Sequence, residues 1–331
     1  MLSIIIPTLN EGSVIGLLLN QLSHQVDIEL EVIVVDGGST DVTKTTAREA
    51  GVQLIESETG RGAQMNKGAK AAAGDYLLFL HADSRLSSNH QLAKAMIQLA
   101  GEAGPVAGHF KLSFDTADHN LKQDLRFFEE KTRLNRAGTW NGDQGLLISA
   151  ETFRTTGGFW EELPFLEDQD FGQRFHQLGR FVTCDSILLT SARRFEQEGF
   201  RKRITVNAII MAMFHLRLGE FFSQAAGIYR ADRASVHLDP LPFLKLAKRL
   251  IFKGRPTIIF THLYQLGQYA TRNLWQLALA RGIRKNQVDH HLRKYDQGVG
   301  ALIDHPVGHF ALMIIVVSWI YFTQWRLSSS R

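Results

Sequence analysis

The chain has 331 residues, of which 44% are hydrophobic and 21% charged, values that fit one large globular domain or two and exclude a disordered or fibrous protein. Its one cysteine, Cys184, excludes a disulfide scaffold and a zinc cluster built on thiolates. The net charge of +4 is unevenly distributed. Residues 1–230 carry 23 Lys and Arg against 28 Asp and Glu, whereas residues 231–331 carry 14 against 5. An acidic body is therefore joined to a basic C-terminal region.

The first ninety residues alternate strand and helix patterns. Apolar runs predict strands at 2–9, 30–35, 52–55 and 75–80, and the intervening segments predict helices at 11–22, 39–50 and 62–73. Ser39 or Thr40 is expected to cap the second of these helices. The alternation predicts an α/β fold with a mostly parallel sheet flanked by helices, and ligands bind such sheets at the carboxyl ends of the strands.

The pattern changes twice farther along the chain. Between residues 105 and 230, apolar stretches at 106–114, 145–149 and 187–190 are separated by longer polar segments, which indicates an α+β continuation. Beyond residue 230 the sequence is mainly helical and basic. We therefore expect a catalytic or binding domain at 1–230 and a helical region at 231–331.

Several motifs in the first domain occur in a recognisable order. They read Ser3–Glu11 (SIIIPTLNE), Val34–Asp41 (VVDGGSTD), Arg61–Ala69 (RGAQMNKGA), His81–Ser84 (HADS), Gly142–Gly145 (GDQG), Glu167-Asp168 and Ser191–Phe195 (SARRF). In this order and spacing they resemble family 2 glycosyltransferases of the GT-A fold, in particular a bacterial subgroup with a compact catalytic domain. The resemblance covers roughly residues 1–230 and does not extend to residues 231–331.

The resemblance implies an inverting glycosyltransferase that moves a sugar from a nucleotide-diphosphate sugar, expected to be UDP-linked, to a hydroxyl acceptor. It also implies a set of donor-binding residues: Pro7, Thr8, Asn10, Glu11, Asp36, Gly37, Ser39, Arg61, Lys67, His81, Ala82 and Asp83. A structural alternative exists for some of them. Asp36 and Ser39 alternatively shape a strand-to-helix turn, and Arg61 is alternatively a solvated surface charge.

A divalent cation is expected because cleavage of the donor leaves negative charge on its diphosphate. Mg²⁺ and Mn²⁺ prefer carboxylate oxygens, and Asp83, after the fourth strand, is the expected metal ligand. The usual motif at this position is Asp-x-Asp, but here His81 replaces the first aspartate and supplies no fixed negative charge. The alternative for Asp83 is an ordinary solvated loop carboxylate.

The acceptor hydroxyl needs a base, because it is a poor nucleophile until its proton is removed. By the resemblance, Asp168 is the catalytic base and Glu167 is the neighbour that positions it or raises its proton affinity. The alternative is that both belong to an acidic helix start together with Glu161, Glu162 and Asp170.

Five further residues are candidates for diphosphate or acceptor binding. Arg193 and Arg194 either bind the diphosphate or lie on a solvated or lipid-facing surface. Trp140, Asp143 and Gln144 are expected in the acceptor pocket, although a lone tryptophan is alternatively a core residue.

The C-terminal region suggests membrane association. The 21 residues between Asp304 and Arg326 lack Asp, Glu, Lys and Arg, and predict a helix at 306–325 that spans the bilayer or inserts at its surface. Upstream, four basic residues share one helical face suited to an anionic membrane, namely Lys245, Lys248, Arg249 and Lys253. The alternative is a soluble helical cap.

The compartment and partners follow from these features. The N-terminus lacks a basic segment before its apolar run, so we expect no secretory signal and a location on the cytoplasmic side of the membrane. The acceptor is then a lipid or lipid-linked compound, or else a small metabolite, and no nucleic-acid partner is expected. Two other functions stay open: a membrane-tethered nucleotide-binding protein without turnover, and a nucleotidyltransferase, which would need a Gly-rich, Lys-bearing loop after the first strand.

Overall fold

The computed structural model describes residues 1–235 and 238–329, the side chains of residues 230–235 excepted. It divides into two compact units. The first unit comprises Met1–Ala117 and Phe128–Ala192, and the second comprises Asp118–Phe127 and Arg193–Arg331. A boundary between functional domains at residue 230 stays a prediction, because compactness alone does not assign function to either part.

One mixed sheet of eight strands organises the first unit. The strands are β1 Leu2–Thr8, β2 Leu30–Asp36, β3 Gln53–Glu56, β4 Tyr76–Phe79, β5 Arg85–Leu86, β6 Val106–Asp115, β7 Leu146–Ser149 and β8 Arg180–Ser191. Their order across the sheet is β3-β2-β1-β4-β7-β6-β8-β5. β1 pairs in parallel with β2 and β4, β2 with β3, and β6 with β8. β7 is antiparallel to its neighbours β4 and β6, and β5 is antiparallel to β8. The expected α/β architecture is confirmed.

Helices cover both faces of this sheet. They are α1 Ile15–Ser23, α2 Thr43–Glu49, α3 Arg61–Ala71, α4 Gln91–Ala100, α6 Ala150–Thr156 and α7 Glu167–Phe175, while α5 His119–Thr132 begins in the second unit and ends in the first. Each face has its own hydrophobic core. One is mainly aliphatic, around Ile4, Ile6 and Leu18. The other is aromatic and contains Trp140, Phe171 and Phe175. Apolar, often β-branched, strand residues are thus buried on both faces of the sheet. Polar side chains are found instead at the carboxyl ends of the strands.

Two predicted helix starts are wrong. α1 begins at Ile15 and α2 at Thr43, several residues later than the sequence pattern indicated. Ser39 does not cap α2, because its hydroxyl donates to Asp36 and accepts from the Asn10 amide. The residues expected in the first turns form loops at the carboxyl ends of β1 and β2, and their polar side chains bond to each other.

The second unit is helical throughout the part that the structure describes. After α8 Arg193–Glu198 come α9 Phe200–His215, α10 Gly219–Ser235, α11 Pro240–Ile251, α12 Pro256–Arg272, α13 Trp275–Lys285, α14 Val288–Lys294, a π-helical turn Tyr295–Val299, α15 Gly300–Ile303 and α16 Pro306–Ser329. α9 packs against α11, and both helices bury apolar residues such as Val206, Phe243 and Leu250. Within residues 1–235 and 238–329, α16 is the one helix long and apolar enough to cross a membrane.

Candidate active site

The carboxyl ends of β1 and β2 hold a buried carboxylate. Asp36 accepts hydrogen bonds from the Thr8 hydroxyl at 3.0 Å, the Ser39 hydroxyl at 2.5 Å, and the Gly38 and Ser39 amides at 3.0 and 2.8 Å. Burial alone would raise its pKa, but the hydrogen bonds outweigh burial and hold the pKa of Asp36 below its usual range. Asp36 is therefore a buried, fixed anion that orders the loops at the carboxyl ends of β1 and β2.

The loop after β1 is tied to the loop after β2. The Asn10 amide donates to the Ser39 hydroxyl at 2.8 Å, and the Thr40 amide donates to the Asn10 side-chain oxygen at 2.9 Å. The Glu11 amide donates to the Thr43 hydroxyl at 2.9 Å. Asn10 has φ 56°, a left-handed conformation that asparagine tolerates. Of the expected donor residues, the structure therefore brings Thr8, Asn10, Glu11, Asp36 and Ser39 together, with Pro7 paired in register with Val35 and Gly37 donating its amide to the Thr8 carbonyl.

Sequence reasoning missed Gln64, which joins the same two strands. Its side-chain amide donates to the carbonyls of Thr8 and Val35, both at 2.8 Å, and the residue is buried. A signal was present: Gln64 lies four residues before Gly68, and the two therefore share the helix face packed on the sheet. A Cβ on Gly68 would come within 2.4 Å of Ile5, so α3 approaches the sheet closely enough for Gln64 to reach both carbonyls.

Arg61, at the start of α3, faces several carboxylates. Its Nη1 lies 3.3 Å from Oε1 of Glu167. The charge of Glu167 raises the pKa of Arg61 against the opposing effect of burial, with further contributions from Asp168, Asp143 and Asp83. The structure thus gathers the residues from three separate motifs around one guanidinium. Lys67, by contrast, donates to the Glu56 carbonyl at 2.7 Å and joins α3 to the end of β3.

The expected catalytic pair begins α7. Leu166, directly before the helix, has φ 69°, an uncommon conformation for leucine that turns the chain sharply into the helix. Glu167 is buried, and its Oε1 forms no hydrogen bond within the described part of the chain, so the ion pair with Arg61 compensates for its desolvation. Asp168 accepts from the amides of Gly142 at 2.8 Å and Gln169 at 2.7 Å.

The environment of Asp168 suits a proton acceptor. Burial, and then the negative charge of Glu167, raise the pKa of Asp168 to about 6, while the Gly142 hydrogen bond and the Arg61 charge act in the opposite direction. A carboxylate with this pKa is ionised near neutral pH and is a stronger base than an ordinary aspartate. Shifts of this kind, caused by burial beside a like charge, are typical of functional sites.

His81 and Asp143 lie beside the same glycine. His81 Nδ1 is 2.9 Å from the Asp143 carboxylate, an arrangement that favours a proton on Nδ1. A Cβ on Gly142 would lie 3.0 Å from His81 Nε2 and 3.6 Å from Asp168 Oδ2. Gly142 therefore lies between the imidazole and the Asp168 carboxylate, a position that the sequence did not reveal.

Asp83 fits a metal bound jointly with substrate phosphates. It follows β4 after the buried Ala82, and its carboxylate forms no hydrogen bond or ion pair with residues 1–235 and 238–329. Nowhere in those residues do three or more His, Cys, Asp or Glu side chains form a metal-binding group. The protein thus offers a carboxylate without a hydrogen-bond donor in the described residues, and Mg²⁺ commonly takes only one or two carboxylates when phosphates and waters complete its coordination.

Trp140 and Gln144 have packing roles. Trp140 is 4% exposed, stacks on Phe181 with ring centroids 5.0 Å apart, and donates to the Gly145 carbonyl. Gln144 is buried and donates to the Thr132 carbonyl at 3.1 Å. Neither side chain presents a surface to an acceptor. Arg193 and Arg194 lie in the first turn of α8 in the second unit, and their contact with a diphosphate stays a prediction.

Comparisons with known proteins place the first part of the chain among glycosyltransferase sequences. Residues 3–153 match the family model described as glycosyl transferase family 2. This region belongs to glycosyltransferase family 2. A Mycobacterium tuberculosis protein named PGL/p-HBAD biosynthesis glycosyltransferase is 40% identical over 101 residues, which are 28% of this chain and 40% of that protein. The uncharacterized glycosyltransferase RT0329 of Rickettsia typhi is 26% identical over 64% of this chain and 74% of its own. The chain thus spans well under half the length of the mycobacterial relative.

Solved structures show that the fold is that of GT-A glycosyltransferases. S. aureus TarS 1-349 has 20% identity and a TM-score of 0.50, over 90% of this chain and 91% of that one. The mannosyltransferase PcManGT from Pyrobaculum calidifontis, in complex with GDP-Man and Mn²⁺, has 19% identity and a TM-score of 0.50, over 92% and 86%. At these identities the similarity shows the fold alone, and the resemblance expected from the motifs is confirmed at that level.

Proposed function

We propose that the chain transfers a sugar with inversion from a nucleotide-diphosphate sugar, UDP-linked by the motif resemblance, to a hydroxyl acceptor. The observation that carries the proposal is the convergence of Arg61, Glu167, Asp168, Asp143 and Asp83 beside the loops that hold Asp36. The proposed nucleotide-binding edge and the proposed base thus belong to one unit. A binding protein without turnover would not need a carboxylate with its pKa raised to about 6.

In the proposed reaction, Asp168 accepts the proton of the acceptor hydroxyl. The acceptor oxygen forms a bond to the anomeric carbon, and the bond from that carbon to the diphosphate oxygen breaks, with the electron pair leaving on the nucleoside diphosphate. Glu167 keeps the proton affinity of Asp168 high, and its ion pair holds Arg61 in the site. Because the reaction is a single displacement at the anomeric carbon, it inverts the configuration of that carbon.

Asp83 would hold a Mg²⁺ or Mn²⁺ ion in this site. When bound, the ion supplies positive charge that stabilises the leaving diphosphate. The His81 imidazole, oriented by Asp143, borders the same edge and stands where the usual motif has a carboxylate. The solved complex of PcManGT with GDP-Man and Mn²⁺ supports divalent-metal use in this fold.

The proposal extends to the membrane. α16 is long and apolar enough to insert into a membrane, and only 22% of its 18-residue apolar segment is buried within the protein. The residues beyond 230 also carry excess positive charge. We place the protein on the cytoplasmic side of a membrane, where the acceptor would be a lipid or lipid-linked hydroxyl. The buried thiol of Cys184, the sole cysteine, is compatible with a reducing compartment.

Thermal unfolding with UDP, GDP and ADP, each with and without Mn²⁺, tests the nucleotide site. A diphosphate present at a hundred times its Kd should stabilise the protein by about 2.7 kcal/mol. We expect one nucleotide to act selectively and more strongly with Mn²⁺, and the Asp36→Asn variant to lose the effect. Absence of a response to every nucleotide would contradict the transferase proposal. Selective binding without transfer to any hydroxyl would favour a non-catalytic nucleotide-binding protein.

A further inference from the structure

The two sides of α16 differ in what they contact. His309, Met313, Ile320 and Thr323 are buried in the second unit. The approach to α12 is close, because a Cβ on Gly267 would lie 2.1 Å from the His309 carbonyl oxygen. The buried positions are separated by four, seven and three residues, spacings that return to the same side of a helix, so they form one stripe along it. One side of α16 is thus already occupied by α11 and α12.

The opposite side of α16 is exposed and apolar. Its large exposed side chains are Val307, Phe310, Ile314, Ile315, Trp319, Phe322 and Trp325, and the half-exposed Tyr321 lies at its border, where its ring contacts Lys248. Ala311 and Ser318 complete this outward face, which contains no charged residue. A contiguous apolar face of this length on a folded protein marks an interaction surface.

Polar contacts at both ends of α16 argue against a transmembrane orientation. Near its start, His309 Nε2 lies 2.7 Å from the Asp304 carboxylate. Near its end, the Lys248 ammonium donates to Gln324 at 3.0 Å and lies 3.9 Å from the centre of the Tyr321 ring. His309 and Gln324 are separated by about 22 Å of helix at 1.5 Å per residue. A helix centred across a hydrocarbon core about 30 Å thick would carry both polar contacts into that core.

We infer that α16 lies in the plane of an anionic membrane and buries its outward face in one leaflet. This orientation leaves Lys248 and the Asp304–His309 pair on the protein side of the helix. Trp319, Tyr321 and Trp325 suit the headgroup region, because their rings are apolar and their N–H or O–H groups bond to water or headgroups.

Charge selects the lipid surface over a second copy of the chain. Residues 231–331 contain 14 Lys and Arg against 5 Asp and Glu, and Arg326 directly follows the outward face. Two copies meeting through this face would bring like charges together, whereas anionic headgroups attract them. The inference refines the membrane location given under the proposed function, on which it rests, and it does not require the glycosyl transfer itself.

Vesicle binding by the full-length protein tests the surface. We compare phosphatidylcholine vesicles with and without phosphatidylglycerol, using the double variant Ile315→Asp/Phe322→Asp. Its vesicle partitioning should fall by about tenfold or more, because two apolar side chains no longer enter the leaflet. Ile97→Asp, at an exposed apolar position of the first unit, is the matched control and should bind as the unaltered protein does. Unchanged binding of the double variant would overturn the proposal.

Depth measurements test the orientation. Phe310→Cys and Phe322→Cys are labelled separately with a nitroxide, since native Cys184 is buried and burial raises the pKa of its thiol to about 12. The two positions are about 18 Å apart along the helix axis. Similar depths in anionic vesicles support the in-plane orientation, and a depth difference approaching that separation would establish a spanning helix instead. A dimer that protects both labels without lipid would overturn the choice of a membrane.

The same samples are assayed for nucleotide-induced stabilisation. Loss of vesicle binding with retained nucleotide binding would refute the membrane surface alone. Vesicle binding without any nucleotide effect would refute the proposed active site and leave the surface standing.

Discussion

Replacing Asp168 with asparagine separates catalysis from folding. The change removes the proposed base, whose contribution to rate is about 10²- to 10⁴-fold, or about 3–5 kcal/mol in activation free energy. Nucleotide affinity should change little, because the hydrogen bonds that the structure shows for Asp168 go to backbone amides rather than to the loops around Asp36. The assay is donor turnover with the nucleotide selected by thermal unfolding, alongside calorimetric measurement of nucleotide Kd.

The effect on stability has a definite pH dependence. Asparagine retains one acceptor oxygen, so either the Gly142 or the Gln169 amide loses its partner, at a cost of about 1–3 kcal/mol. Against this, a folded pKa raised from 3.8 to about 6 means that ionised Asp168 destabilises the fold by up to about 3 kcal/mol above pH 6. That penalty grows as pH rises from about 4 to about 6 and then stays constant. The variant should therefore gain stability relative to the unaltered protein across that interval.

Asp170→Asn is the matched control. It lies on the same helical turn, but its carboxylate pairs with Arg174 at 2.7 Å. This variant should lose stability and keep turnover. If Asp168→Asn turns over donor within about tenfold of the unaltered protein, below the range for a general base, our assignment of the base is refuted.

Three further variants probe the surrounding groups. Glu167→Gln removes the negative charge that raises the pKa of Asp168, so the acidic limb of the pH–rate profile should move to lower pH; an unmoved limb would contradict that coupling. Asp36→Ala leaves the hydrogen-bond donors on Thr8, Gly38 and Ser39 without their acceptor. We expect this variant to unfold at a lower temperature by calorimetry. We also expect it to bind nucleotide at least tenfold more weakly, a loss of about 1.4 kcal/mol in binding free energy. Gly142→Ala places a methyl 3.0 Å from His81 Nε2 and should lower kcat/KM, measured by donor turnover, while the fold remains intact by circular dichroism.

The parallel half of the sheet could be predicted from sequence because its strands are continuous apolar runs separated by short helices. The insertion of β7 between β4 and β6 could not, since antiparallel pairing between distant segments leaves no local pattern. β8 extends back to Arg180 because polar residues such as Thr183 and Asp185 alternate with apolar ones, and only its last apolar stretch was visible as a strand.

The candidate site was predictable where side chains carry the chemistry and obscure where the backbone does. Asp36 ends β2, Asp168 lies in the first turn of α7, and Asp83 lies in the turn that follows β4. Gly142 contributes a backbone amide to Asp168 and, because it has no side chain, leaves room for His81. From the sequence alone, such a glycine cannot be distinguished from one in an ordinary turn. The start of α2 was misplaced because the Ser39 hydroxyl accepts from the Asn10 amide in the loop after β1 and donates to Asp36, instead of capping a helix.

The buried side-chain amide of Gln64 has a consequence for how selectively the donor nucleotide is recognised. Because it bonds to the carbonyls of both Thr8 and Val35, the ends of two parallel strands are fixed to one helix before any nucleotide arrives. A rigid, preassembled edge loses little conformational entropy on binding. The donor should therefore bind to a surface at the ends of β1 and β2 that is already in its bound conformation. Selectivity among nucleotides would then arise because a wrong base does not fit these fixed groups, rather than from loops that adapt to each base.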